Sequence, residues 1–178
     1  MDTKTLFGAL LVAGVLGGFA INGFFMDNES LEDNILDVKV GSEAPDFALR
    51  DTKGNSFNLS DFENEKVVVL EFMNMGCGSC HSFEKDVLKS YCNSTTMPED
   101  VEVISLTQTG DVSQEDLEER AEGKNWAYVF GSEEMTDAFG ADRSPSIVII
   151  DKDGIVTFSE SGPMTESELK EKVDEALV

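Results

Sequence analysis

The sequence predicts an α/β domain in which helices flank a mixed β-sheet. Three observations carry that reading. Apolar runs of strand length occur at 67–72, 101–106 and 146–150; segments with helical spacing separate them; a hairpin and one last helix close the chain. Runs that are apolar at nearly every position suit strands buried on both faces.

Ahead of the domain lies LFGALLVAGVLGGFAINGFF, residues 6–25, with no charge in 20 positions. As a helix it spans about 30 Å at ~1.5 Å per residue, the thickness of a bilayer's hydrocarbon core. Lys4 and the terminal amine precede it, whereas Asp27, Glu29, Glu32 and Asp33 follow. The positive-inside tendency therefore predicts a single-pass cell-membrane protein with a cytoplasmic N-terminus and an extracytoplasmic domain. A cleaved signal peptide is the competing reading, since Gly18 and Ala20 have cleavage-site spacing. The apolar run continues past them to Phe25, however, whereas signal h-regions extend only about 7–15 residues. No cysteine precedes Cys77, which excludes a lipoprotein. The expected organisation is an anchor or uncleaved signal over 1–26, an acidic linker over 27–40, and a folded domain over 41–178.

Within the domain, 44–47 opens an extended segment. Turn residues follow from Asp51 to Asn55, and 56–59 returns, predicting an N-terminal β-hairpin. The strand at 67–72 is interrupted only by Glu71. Phe83, Val87, Leu88 and Tyr91 have helical spacing, predicting a helix over about 79–91. After the strand at 101–106, Ser113 and Asp116 cap a helix running to about 122. A short strand at 127–130 and a short helix at 132–139, closed by Gly140, come next. The strand at 146–150 turns through Asp151-Lys-Asp-Gly154 into a partner at 155–159. Thr165 with Glu168 caps the final helix, whose apolar positions are Leu169, Val173, Ala176 and Leu177.

Thirty-six acidic residues against thirteen basic ones give a formal charge of -23. Nucleic acid is excluded as a partner, because affinity for phosphate comes mainly from Lys and Arg. Membrane contact is therefore expected through the N-terminal helix rather than a basic surface. The acidity is consistent with a strongly solvated surface, with a salty milieu that screens repulsion, or with steering of a basic partner.

The chemistry is concentrated in Met75-Gly76-Cys77-Gly78-Ser79-Cys80-His81 at the end of the first core strand. Two cysteines three positions apart at a helix start have a mechanical logic. The first sulfur lies over free N–H groups that stabilise a thiolate, and the second sits one turn on, close enough to displace a mixed-disulfide partner. Gly78 is expected to allow the tight approach into the helix. Cys92, twelve residues beyond Cys80, is about 18 Å away along a helix and reads as a partly buried free thiol with polar neighbours that suggest the surface.

From about Gly41 onward the chain resembles the thioredoxin-like domain of membrane-anchored TlpA/ResA-type oxidoreductases. The resemblance rests on Gly41-Ser-Glu-Ala-Pro-Asp-Phe47, on the strand–C-x-x-C–helix unit, and on Ser144-Pro145-Ser146 followed by Asp151-Lys-Asp-Gly154. It implies a thioredoxin-like fold and a thiol–disulfide oxidoreductase that needs no cofactor or metal. In that frame Cys77 is the exposed nucleophile and Cys80 the buried resolving thiol, the two forming the redox-active disulfide. Glu71 is the buried carboxylate that relays protons to Cys80, with a raised pKa. Pro145 is a cis-proline whose loop pairs with the substrate backbone, so Gly76, Ser144 and Pro145 form the substrate-binding surface. The implied partners are thiols and disulfides of exported proteins and a membrane electron donor. Gly76 stands where relatives carry a bulky residue, and Ser144 replaces their Thr or Val. These departures leave substrate choice and redox direction open.

Three other readings compete. C-x-x-C-H is also the attachment sequence for c-type haem, with His81 as axial ligand and a methionine opposite. A peroxiredoxin-like antioxidant protein would need a Thr and a Pro ahead of the cysteine, where this chain has Glu71-Phe-Met-Asn-Met-Gly. A tethered binding module with incidental thiols is the non-enzymatic reading. Zinc fails on ligand count.

Overall fold

The computed structural model describes residues 38–109 and 112–178; the apolar run at 6–25, its proposed topology and residues 27–37 lie outside the described residues. In chain order the elements are β1 (Ala48–Arg50), β2 (Ser56–Asn58), a 3-10 turn (Leu59–Phe62), β3 (Val67–Met73), α1 (Gly78–Phe83), a π-helical turn (Glu84–Leu88) and α2 (Lys89–Asn93). There follow β4 (Val101–Thr107), α3 (Gln114–Ala121), β5 (Ala127–Val129), α4 (Glu133–Ala138), β6 (Ser146–Ile150), β7 (Val156–Ser161) and α5 (Glu166–Ala176).

Five strands form the mixed sheet in the order β5-β4-β3-β6-β7, with β3, β4 and β5 parallel and β6 and β7 antiparallel to their neighbours. β3 lies at its centre and is buried along its whole length. Strand alternation sends its residues to two faces. Val67, Val69 and Met73 pack with Cys80, Phe83, Leu88, Leu117, Leu169 and Val173 on the side of α1, α2, α3 and α5. Val68, Leu70 and Phe72 pack with Leu49, Met135, Phe139 and Val148 on the side of the hairpin and α4. The parallel β3–β4 pair requires a crossover, and the helical stretch from Gly78 to Asn93 supplies it.

The caps predicted at Ser113 and Thr165 are present, and Ser132 adds a third. Ser113 Oγ accepts from Asp116 N at 3.1 Å, Ser132 Oγ from Met135 N at 3.2 Å, and Thr165 and Glu168 form a reciprocal capping box. The N-terminal hairpin is likewise formed, with Ala48 opposite Asn58 and Asp51 Oδ1 accepting from Asn55 N across the turn.

The fold also takes in residues that the sequence assigns to the linker. Val38 is buried, and its N–H donates to Ala138 O at 3.1 Å. Further on, Gly41 N donates to Val156 O (2.7 Å) and Val156 N to Ser42 O (2.9 Å). Past β1 the chain reaches the other side of the sheet, where Thr52 N donates to Tyr128 O and Phe130 N to Arg50 O.

The helix expected at 79–91 starts at Gly78 and is not uniform. Its π-helical turn breaks the regular spacing: Glu84 is fully buried while Val87 is only partly so.

Gly131 follows β5 where the backbone crosses the end of β4. A Cβ there would lie 1.8 Å from Thr107 O, and Gly131 N already donates to Thr107 Oγ1 at 3.0 Å. Because the obstacle is backbone, Gly131→Ala is expected to cost about 2–3 kcal/mol. A urea titration checks this, the expected result being a lower midpoint with an unchanged slope.

Candidate active site

β3 delivers the motif. After Met73 the chain turns at Asn74, whose Oδ1 accepts from Gly76 N (3.0 Å) and whose carbonyl accepts from Cys77 N (3.0 Å). Cys77 is the N-cap of α1, in extended conformation, and its Sγ accepts from Cys80 N at 3.0 Å. Ser79 Oγ lies 3.3 Å from the same sulfur. Cys77 and Cys80 are joined in a disulfide, with Cα atoms 5.3 Å apart. The two sulfurs are inequivalent: Cys77 is partly exposed, whereas Cys80 is sealed in the core at 0% exposure. A backbone N–H aimed at Sγ of Cys77 favours its thiolate form once the bond is open.

Neither glycine of the motif is demanded by the backbone. A Cβ on Gly78 would meet nothing within 4 Å, and one on Gly76 only Asn74 Oδ1 at 3.6 Å. The expectation that Gly78 allows a tight approach is therefore corrected. Gly76 leaves open space beside Cys77 that a larger side chain would fill.

Pro145 is buried and follows a cis peptide bond from Ser144. The antiparallel register pairs Phe72 with Ser146, which sets Pro145 beside the exit of β3 towards the motif. Pro145 O accepts from Gly162 N at 2.7 Å. Ser144 Oγ donates to Gln108 Oε1.

Glu71 is fully buried on the same face of β3 as Val69 and Met73, the face that packs against Cys80. Ser105 Oγ donates to Glu71 Oε2 at 2.5 Å and accepts from Trp126 Nε1 at 2.9 Å. Glu71 Oε1 has no hydrogen-bond partner among the described residues. Burial, helped by the Glu84 carboxylate, pushes the Glu71 pKa up to about 8, against smaller opposing effects from Ser105, Arg120 and Lys124.

Glu84, also at 0% exposure, is held by Arg120 through Nε (2.9 Å to Oε2) and Nη2 (2.9 Å to Oε1), and by Lys124 Nζ at 3.0 Å. Sequence reasoning missed this cluster. A Glu and two cations on separate surface-type elements carry no mark of meeting inside.

His81 is exposed in the first turn of α1. Cys92 is not at the surface that its neighbours suggest: it is buried with 8% exposure, and burial, with Glu102 and Glu71 adding to it, pushes its thiol up to about 12. It is free, as expected. No group of His, Cys, Asp and Glu suited to a metal ion occurs among the described residues. A c-type haem does not fit the motif, because Cys80 Sγ is enclosed by the core and bonded to Cys77.

The chain matches the Redoxin family over residues 39–177. Among curated proteins, thiol-disulfide oxidoreductase ResA of Bacillus cereus is 28% identical over 166 residues, covering 91% of this chain and 88% of its own length. ResA of Bacillus subtilis is 26% identical over 162 residues, covering 90% and 85%. Among solved structures, the thioredoxin domain of a thiol-disulfide oxidoreductase from Bacteroides vulgatus matches with TM-score 0.64 and 23% identity, over 76% of this chain and 99% of that one. The exposed lipoprotein thioredoxin Etrx1 of Streptococcus pneumoniae matches with TM-score 0.62 and 22% identity, over 74% and 99%. These two likenesses establish a thioredoxin-like fold.

Proposed function

Since the chain belongs to the redoxin family, we propose that it is a membrane-anchored, extracytoplasmic thiol–disulfide oxidoreductase that reduces disulfides of exported proteins through Cys77 and Cys80. The observation that carries this reading is the inequivalence of two bonded sulfurs at a helix start, one reachable and one sealed. The curated relatives named above support the same chemistry.

In the reduced protein the Cys77 thiolate attacks one sulfur of the partner disulfide. A mixed disulfide forms and the partner's other sulfur leaves as a thiolate. Cys80 then gives its proton to ionised Glu71 and attacks Cys77 Sγ. The partner's second sulfur is released, the partner gains two electrons and the Cys77–Cys80 disulfide forms. A membrane dithiol donor returns those electrons by the reverse exchange. A carboxyl with a pKa of about 8 is matched to a thiol, because proton transfer between them is nearly level. Gly76, Ser144 and Pro145 form the surface against which the partner's backbone lies. The apolar run at 6–25 supplies the anchor.

The test uses the full chain from an export-competent host: an absorbance spectrum, a thiol redox titration and a protease-accessibility assay on intact cells. The expected results are no Soret band, a two-electron couple below roughly -200 mV, and a domain cleaved only from outside. A haem band would overturn the oxidoreductase assignment, a potential near about -120 mV would reverse its direction, and a protected domain would overturn its location.

A further inference from the structure

Resting on the oxidoreductase reading, we infer that Gln108 is a positioning residue that fixes the Ser144–Pro145 substrate loop relative to Cys77. Gln108 directly follows β4 and is half-buried. Its side-chain amide is spent entirely on the loop ahead of Pro145. Nε2 donates to Ala141 O and to Arg143 O, the latter at 3.0 Å, and Oε1 accepts from Ser144 Oγ. The orientation is determined by the partners: turned over, Oε1 would face two carbonyl oxygens.

The backbone of the same residue makes the other half of the link. Gln108 N donates to Met73 O at 2.9 Å, at the point where β3 gives way to the turn that carries Cys77. Gln108 O accepts from Thr136 Oγ1 at 2.8 Å, which ties the unit to α4. One residue therefore joins the base of the motif to the loop that faces it. Attack on a disulfide requires three sulfurs nearly in line, so the substrate backbone on that loop must be held at a set distance from Cys77. Gln108 touches neither cysteine, and its effect runs through the loop.

Such a residue should matter for substrates that lie along the loop and not for those that reach Cys77 without it. The test compares full-length wild type, Gln108→Met and Gln108→Glu, reduced, against a disulfide-bridged peptide and against dipyridyl disulfide, alongside melting curves and redox titrations. Gln108→Met keeps the volume and removes the hydrogen bonds; Gln108→Glu sets a carboxylate against two carbonyl oxygens. In both variants kcat/KM for the peptide should fall by about ten- to a hundredfold, while the dipyridyl disulfide rate stays within about twofold and the midpoint potential is unchanged. Equal losses on both substrates, or an unchanged peptide rate in a folded variant, would overturn the inference. Wild type that reacts with dipyridyl disulfide but not with any peptide disulfide would instead overturn the oxidoreductase reading itself, and this inference with it.

Discussion

Cys77→Ser is expected to abolish disulfide reduction, by about a thousandfold or more, because no other group can serve as the attacking sulfur. Cys80 is at 0% exposure, and Cys92 is buried with its thiol pushed up to about 12. Cys80→Ser should behave differently. Its Cys77 still attacks, but nothing can displace the partner, so a covalent complex accumulates and survives a non-reducing gel. Cys92 cannot resolve it, since it sits in α2, the far end of the same helical stretch, and ionises too weakly. Retention of a tenth of the wild-type rate by Cys77→Ser, or no trapped complex with Cys80→Ser, would sink the assignment of roles.

Glu71→Gln should gain stability and lose activity together. In the unfolded chain a glutamate titrates near 4.5, and in the fold Glu71 titrates near 8. Below pH 4.5 the group is protonated in both states and has no effect on folding. Between those values the unfolded chain releases the proton and the folded chain keeps it, so stability falls as pH rises. Above about pH 8 both states have lost the proton and the loss levels off. Glutamine does not titrate. The variant's advantage should therefore widen from pH 5 to pH 8 when both proteins are unfolded by urea in the disulfide form. Release of a mixed-disulfide partner should slow by about a hundredfold, because Cys80 has lost its base. Parallel stability curves for the two proteins would show that Glu71 does not stay protonated inside the fold.

The elements were legible where local rules and burial agree. β3, β4 and β6 announce themselves as apolar runs, and Ser113 and Thr165 cap their helices because a hydroxyl there meets a free N–H whatever the tertiary setting. The motif could be read because both its cysteines lie within one turn. What escaped notice depends on residues far apart in the chain. Glu84 meets Arg120 from 36 positions away, and Gln108 reaches Arg143 from 35. Trp126 meets Glu71 only through Ser105. Cys92 misled because its neighbours Asn93 and Ser94 are polar, although the thiol itself points inward beside Tyr91. A single sign was available for Gln108: a polar residue directly after a buried strand, at the carboxyl end where α/β sheets place their sites.

The stretch ahead of β3 has a consequence for solubility. Residues 41–42 pair with the start of β7, and residues 50–52 pair with β5, so the two outermost strands of the sheet are each met by the same short segment. The rest of β7 carries Glu160 and runs past an irregularity in its pairing with β6, both of which discourage a further strand from adding there. β5 has no charged residue of its own and depends on the segment. A chain cut back to begin near β3 would offer β5's free amides and carbonyls to a neighbouring copy. Self-association of such a fragment would then reflect a missing edge cover rather than a damaged core.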